Sequence, residues 1–383
     1  MVWLAVLVAI AGVSSAEGGP ASARQGGAVP PASTISKETR ATLVNWGNET
    51  LANIRQAYYM PPKHLYGDAV TPGKPPEQVA FNWGCGVMLS ALNAASSFDP
   101  KYKPELREFA SALQVYWNMK GPTPGYDVLP APKDVDRYYD DNEWLVLGLV
   151  ETSERLNAPE YLHAARQGLA YVLSGEDDKL GGGIYWRETD KASKNTCSNA
   201  PAAAACLAVY RFTHDGTLLA KAEELYDWTK RTLQDPEDHL MWDNINLSGK
   251  IGKAKFSYNT ALMIRTAAEL ARLTKEAKYE ADTKEMVQAS LAHWFKEGKL
   301  HDDGRFAHLL VDAWIEAERM IPSLAIPKEA FVEPLQFVHE HGRSSEGFIA
   351  KRWDEAAPKP GQKCELIDQA SFVRSCFDVA KSP

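Results

Sequence analysis

The chain has 383 residues, 45% of them apolar and 24% charged, with a net charge of −8. Such a composition suits a folded protein with a substantial core, in one large domain or two ordinary ones. The acidic balance and the lack of any concentrated Lys/Arg stripe exclude a nucleic-acid partner and an anionic membrane surface.

In chain order, the first element reads as a secretion signal. Residues 1–16 form a short apolar core followed by small residues, with cleavage expected after Ala16, although no Lys or Arg precedes the apolar stretch. The run is too short to span a bilayer comfortably, so a secreted, extracellular protein free of the membrane is expected. Residues 17–35, rich in Gly, Ala, Pro and Ser, read as a flexible leader. Beyond them apolar residues recur at helical spacing, with few period-two runs. Start and stop signals predict helices over 36–59, 77–97, 103–118, 141–156, 159–174, 199–212, 217–233, 256–273, 278–294, 305–320, 328–341 and 366–381.

The links alternate in length. Those after the even helices are short (97–102, 157–158, 213–216, 274–277, 321–327). Those after the odd ones are long (60–76, 120–139, 175–198, 235–255, 342–365), with 296–304 intermediate. Helices joined by short links pack antiparallel, so the long loops emerge on one face. The expected fold is all-α: six helical hairpins closed into an (α/α)6 barrel over residues 36–383, in which long structured loops mark the functional face. An open solenoid of hairpins is the alternative, and no sharp repeat signature decides between them. The five cysteines show no metal-ligand spacing. Cys364 and Cys376 would close a small loop if oxidised; buried free thiols are the other reading. No metal and no cofactor are expected, and the chain is expected to act as a monomer.

Asp140 and Asp141 stand where a long loop enters the fourth helix, framed by Tyr138, Tyr139 and Trp144. A capping reading exists, because Asp140 and Glu143 have capping-box spacing. A helix start also stabilises an ionised carboxylate. With the first residue outside the helix, the two side chains can reach different sides of one substrate, as the acid and the nucleophile of glycosidic-bond cleavage must. Further on, Asn195, Thr196, Ser198 and Asn199 cluster before a helix opened by Pro201. Capping uses one of them, Ser198 or Asn199, and the remaining small polar groups suit sugar hydroxyls. Trp186 precedes them behind the glycines 181–183. Asn244 and the Tyr258-Asn259 pair lie at the mouth of the eighth helix, and Trp83 in the first turns of the second belongs to the same rim. With Tyr139, these residues are the candidate sugar contacts. The histidines share no ligand spacing, and Ser344-Ser345 lacks a nucleophile-elbow frame.

The segments 139–144, 182–186 and 194–201, with Tyr258-Asn259 and the 368–371 stretch, resemble glycoside hydrolase family 76, the endo-α-1,6-mannanases, over residues 40–381. The resemblance implies an (α/α)6 barrel and retaining cleavage of α-1,6-linked mannose backbones. It also implies a mannan substrate, Asp140 as nucleophile and Asp141 as acid/base. The tenth helix, Phe306 to Asp312, departs from the family's Phe-Lys-Gly pattern, which bears on the subsites. Transglycosylation through the same covalent intermediate is an alternative outcome, and two rival functions remain. One is a barrel enzyme of the unsaturated uronyl hydrolase or epimerase kind, for which Arg137, Arg187 and Lys194 are the candidate cations. The other is a glycan-binding protein without turnover.

Overall fold

The structure, a computed structural model, describes residues 34–130 and 136–382; the expected signal and the leader up to residue 33 lie outside them. Among the described residues are twelve α-helices: α1 (Lys37–Tyr58), α2 (Asn82–Phe98), α3 (Lys103–Ala112), α4 (Tyr139–Leu156), α5 (Pro159–Leu173), α6 (Thr196–Thr213), α7 (Gly216–Leu233), α8 (Ser257–Thr274), α9 (Ala277–Trp294), α10 (Gly304–Met320), α11 (Glu329–His341) and α12 (Leu366–Lys381). Each even helix packs on the next, and α12 packs on both α10 and α2, so the inner ring closes and the solenoid alternative falls. The odd helices wrap this ring, α1 lying against α12. Burial follows the same division. In α6 the run Thr196–Val209 is buried throughout, whereas α7 buries only a stripe of Ala222, Leu225, Tyr226, Trp228, Thr229 and Leu233 at helical spacing. The alanines of α6 let it pack closely in the inner ring.

The hairpin turns are short because α4, α6 and α8 each end on one left-handed residue, Asn157, His214 and Lys275, which turns the chain straight into the next helix. The starts of the inner helices depart from expectation. α2 begins at Asn82 instead of 77, α4 at Tyr139 instead of 141, and α6 at Thr196 instead of 199, so Pro201 lies inside its helix. No inner helix start carries a side-chain cap. Instead, the first amide of each donates to the loop one hairpin farther along. Asn82 N bonds Val128 O, Tyr139 N bonds Trp186 O, Thr196 N bonds Asp243 O, Gly304 N bonds Lys351 O and Leu366 N bonds Asp68 O; Ser257 N bonds the Asp302 carboxylate. The orphan donors of six helix ends thus stitch the long loops into a circle.

The fourth residue of most inner helices pins its own preceding loop. Asn142 holds both backbone groups of Tyr126, Asn199 those of Ile184 and Gln369 those of Ile349, while Thr260 accepts from Met241 N. All five cysteines are buried free thiols. Cys364 lies in a short strand paired with Ala69–Val70 and Cys376 within α12, and no bridge joins them.

Candidate active site

The second residues of α2, α4, α6 and α8 are Trp83, Asp140, Cys197 and Tyr258, and all four line one open cleft of about 630 Å³ on the long-loop face. One wall is aromatic: Phe306 stacks on Tyr258 with ring centroids 4.5 Å apart and on Trp83 at 5.8 Å, and Phe256 leans on both Phe306 and Tyr258. The other carries Asp136, Ser193, Asn195, Asp243 and Asn244, with Tyr138 and Trp186 in edge contact at 4.9 Å.

The paired acids occupy the second and third positions of α4, both inside the helix, whose N-cap is Tyr138; the capping-box reading is therefore corrected. Asp140 is surrounded by donors. Its Oδ1 accepts from the Asp141 amide at 3.0 Å, and its Oδ2 from Trp186 Nε1 at 3.0 Å and Cys197 Sγ at 3.3 Å. Burial raises its pKa, the thiol, indole and amide lower it, and the balance lies at about 6. Among the described residues the Asp141 carboxyl has no comparable donors. Burial, then the negative charge of Asp140 and that of Asp136, hold it well above the ordinary carboxylate range. Glu143 does not reach back to the helix start. It is fully buried, neither oxygen has a hydrogen-bond partner, and burial followed by the two aspartates keeps it protonated.

Of the expected sugar contacts, Trp83, Trp186, Asn195, Asn244 and Tyr258 line the cleft. Asn195 Oδ1 accepts from Ser193 Oγ, and Asn244 Nδ2 donates to Asp243 at 2.6 Å. The other four do not line it. Tyr139 is buried and stacked on Tyr171, because α4 starts earlier than expected and turns Tyr138 to the cleft in its place. Thr196 Oγ1 is spent on Trp242 O, and Asn199 on Ile184 and Asn195, so both serve the scaffold. Asn259 is fully buried behind the wall.

The three candidate cations are scaffold as well. Arg137 is buried against Glu188, Arg187 pairs with Asp136, and Lys194 is buried with its ammonium on Asp177 and three loop carbonyls. Two of those carbonyls, Lys179 O and Gly182 O, belong to the glycine turn. There Gly183, at φ +85°, has no room for a Cβ against the Trp228 ring. Among the described residues no Lys or Arg lines the cleft; its charged residues there are Asp136, Asp140, Asp141 and Asp243. Among the described residues no group of three His, Cys, Asp or Glu is placed to hold a metal ion. Sequence reasoning missed Cys197, Asp243, Phe256 and Phe306 as cleft residues. The signal for Cys197 was its register, since it occupies in α6 the position Asp140 holds in α4.

Among solved structures, the chain is similar to the family 76 α-mannanase BT2949 of Bacteroides thetaiotaomicron. The two are 29% identical with a TM-score of 0.82, over 88% of this chain and 95% of that one. It is also similar to an α-1,6-mannanase of Salegentibacter sp. HEL1_6, at 24% identity and a TM-score of 0.76, over 88% and 99% of the two chains. That enzyme was solved as an inactive variant with two adjacent aspartates changed to asparagine, in complex with α-1,6-mannotriose. A mannan endo-1,6-alpha-mannosidase of Saccharomyces cerevisiae, DCW1, is 22% identical over 192 residues, which span 46% of this chain and 42% of that protein. The model of glycosyl hydrolase family 76 matches residues 47–323, most of the chain, and the protein belongs to that family.

Proposed function

We propose that the protein is an exported, retaining endo-hydrolase of α-1,6-mannan backbones, with Asp140 as nucleophile and Asp141 as acid/base. The observation that carries this reading is the unequal setting of two adjacent carboxyls. Asp140 is held by three donors that favour its anion, and Asp141 is held neutral by burial and by its neighbour's charge. Environments that push paired carboxyls apart assign the base and the acid. In the first step Asp140 attacks C1 of the mannosyl unit, the C1–O bond breaks, and the Asp141 proton passes to the leaving oxygen. In the second, Asp141 takes a proton from water, the water oxygen bonds C1, and Asp140 departs as carboxylate.

An uncharged glycan suits a cleft whose described lining carries four carboxyl side chains and no Lys or Arg, which argues against a uronic-acid substrate. The aromatic wall suits the apolar faces of sugar rings. The α-1,6 linkage follows the substrate named for the yeast relative. The test is reducing-end release from linear α-1,6-mannan by wild type, Asp140→Asn and Asp141→Asn. Wild type is expected to cleave, and each variant to lose at least about a hundredfold in rate. Near-full activity in either variant overturns the roles, and no release by wild type overturns the substrate.

A further inference from the structure

The Asp140 carboxylate is gripped from two sides at one oxygen: the Trp186 indole and the Cys197 thiol both donate to Oδ2. Among the described residues, its other oxygen has only the adjacent amide of Asp141. Cys197 reaches Asp140 because both are second residues of neighbouring inner helices, α6 and α4. We propose that Cys197 is a positioning residue for the glycosidase reaction. Its thiol, with the Trp186 indole, fixes the orientation of the Asp140 carboxylate and leaves Oδ1 to attack the sugar. The proposal rests on the nucleophile assignment above.

The thiol is built to stay a donor. It is almost fully buried, and burial, followed by the charges of Asp140 and Asp243, keeps it far from ionisation at working pH. The groups facing Asp140 and Cys197 are Asp141, Asp136 and Glu143 from α4 and its loop, Asp243 from the loop before α8, and Tyr258 from α8. Tyr258 lies beside the sulfur, and burial raises its phenol well above the ordinary value, so it too stays neutral. The carboxyls on this list are present with or without the thiol, so removing the thiol isolates one donor to the Asp140 anion. Losing a donor to the charged form raises a carboxyl's pKa, and the acid limb of the rate profile, set by ionisation of Asp140, must then move to higher pH.

The experiment compares full-length wild type, Cys197→Ala and Cys197→Ser on linear α-1,6-mannan across pH. It is paired with carbon-13 NMR titration of the Asp140 carboxyl, which needs no substrate. Cys197→Ala is expected to lower kcat about tenfold with KM nearly unchanged, and to raise both the acid limb and the Asp140 titration by roughly half a pH unit or more. Cys197→Ser keeps a donor at nearly the same place and is expected to restore most of both. A variant that only loosens packing would lower the unfolding temperature without moving either titration. If Asp140 titrates alike in wild type and in both variants, the proposal is wrong. If Cys197→Ala does not fold, Cys197→Val, which fills the space of the thiol without a donor, takes its place, and an unmoved Asp140 titration with full kcat in that variant overturns the proposal equally. A shifted Asp140 titration with no mannan cleavage by wild type would retain the thiol's role and sink the substrate instead.

Discussion

Glu143, one turn on from Asp140, has no hydrogen-bond partner on either carboxyl oxygen and is fully buried. An ionised carboxylate there would carry the full cost of desolvation, so the group stays protonated in the folded protein. The sign of its pH effect follows. Above the ordinary glutamate value of about 4.3, an unfolded chain releases this proton while the folded one retains it, so stability falls as pH rises towards the raised folded value. Asp140 and Asp141, also raised, add losses of the same sign. Glu143→Gln keeps the shape and removes the proton exchange. Thermal melts at about pH 5 and pH 8 are expected to show a smaller loss of Tm for the variant than for wild type; equal losses would mean that Glu143 is not buried as a neutral acid.

The inner helix, with its preceding loop, is the repeating element. Its first amide bonds the next loop; in α2, α4, α6 and α8 its second residue faces the cleft, and in α4, α6, α8 and α12 its fourth residue pins its own loop. Asn199 illustrates the last role: both ends of its amide close on Ile184, two residues before Trp186. Asn199→Ala would orphan the buried Ile184 N–H and C=O, at a cost of about 2 kcal/mol in unfolding free energy, and would loosen the Trp186 donor to Asp140. An unchanged denaturant midpoint would contradict the pin.

Helix count, the alternation of links and the face on which Asp140 and Asp141 lie were legible, because they follow from apolar periodicity and loop length alone. The inner helix starts were not. Sequence rules look for a local Ser, Thr, Asp or Asn cap, whereas here the orphan amides are satisfied by carbonyls a whole hairpin away. That displaced the reading by two residues at α4 and three at α6. The error put Tyr139 in the cleft in place of Tyr138, made sugar ligands of Thr196 and Asn199, and hid Cys197. Phe306 was visible as a departure from the family pattern, but its stacking on Tyr258 and Trp83 depends on ring closure.

At the scale of the whole molecule, closure rests on α12, which packs on α1, α2 and α10. Away from the cleft, Arg374 of α12 donates to Ser90 O of α2, to Glu151 of α4 at 2.9 Å and to Asp312 of α10 at 3.1 Å, and also pairs with Asp378. One side chain thereby ties four inner helices. Nothing in the local sequence marked it, since its partners are spread over the chain. Arg374→Met would strand Glu151 and the buried Asp312, costing about 3–5 kcal/mol of stability; calorimetry giving an unchanged Tm would show that the ring closes without it. The far side of the same barrel presents the two unequally set carboxyls on which the proposed retaining mechanism rests. The most direct test of that claim is proton NMR of the first product released from linear α-1,6-mannan. Initial accumulation of the α-anomer is the expected result; initial appearance of the β-anomer would mean that water, not Asp140, attacks the sugar.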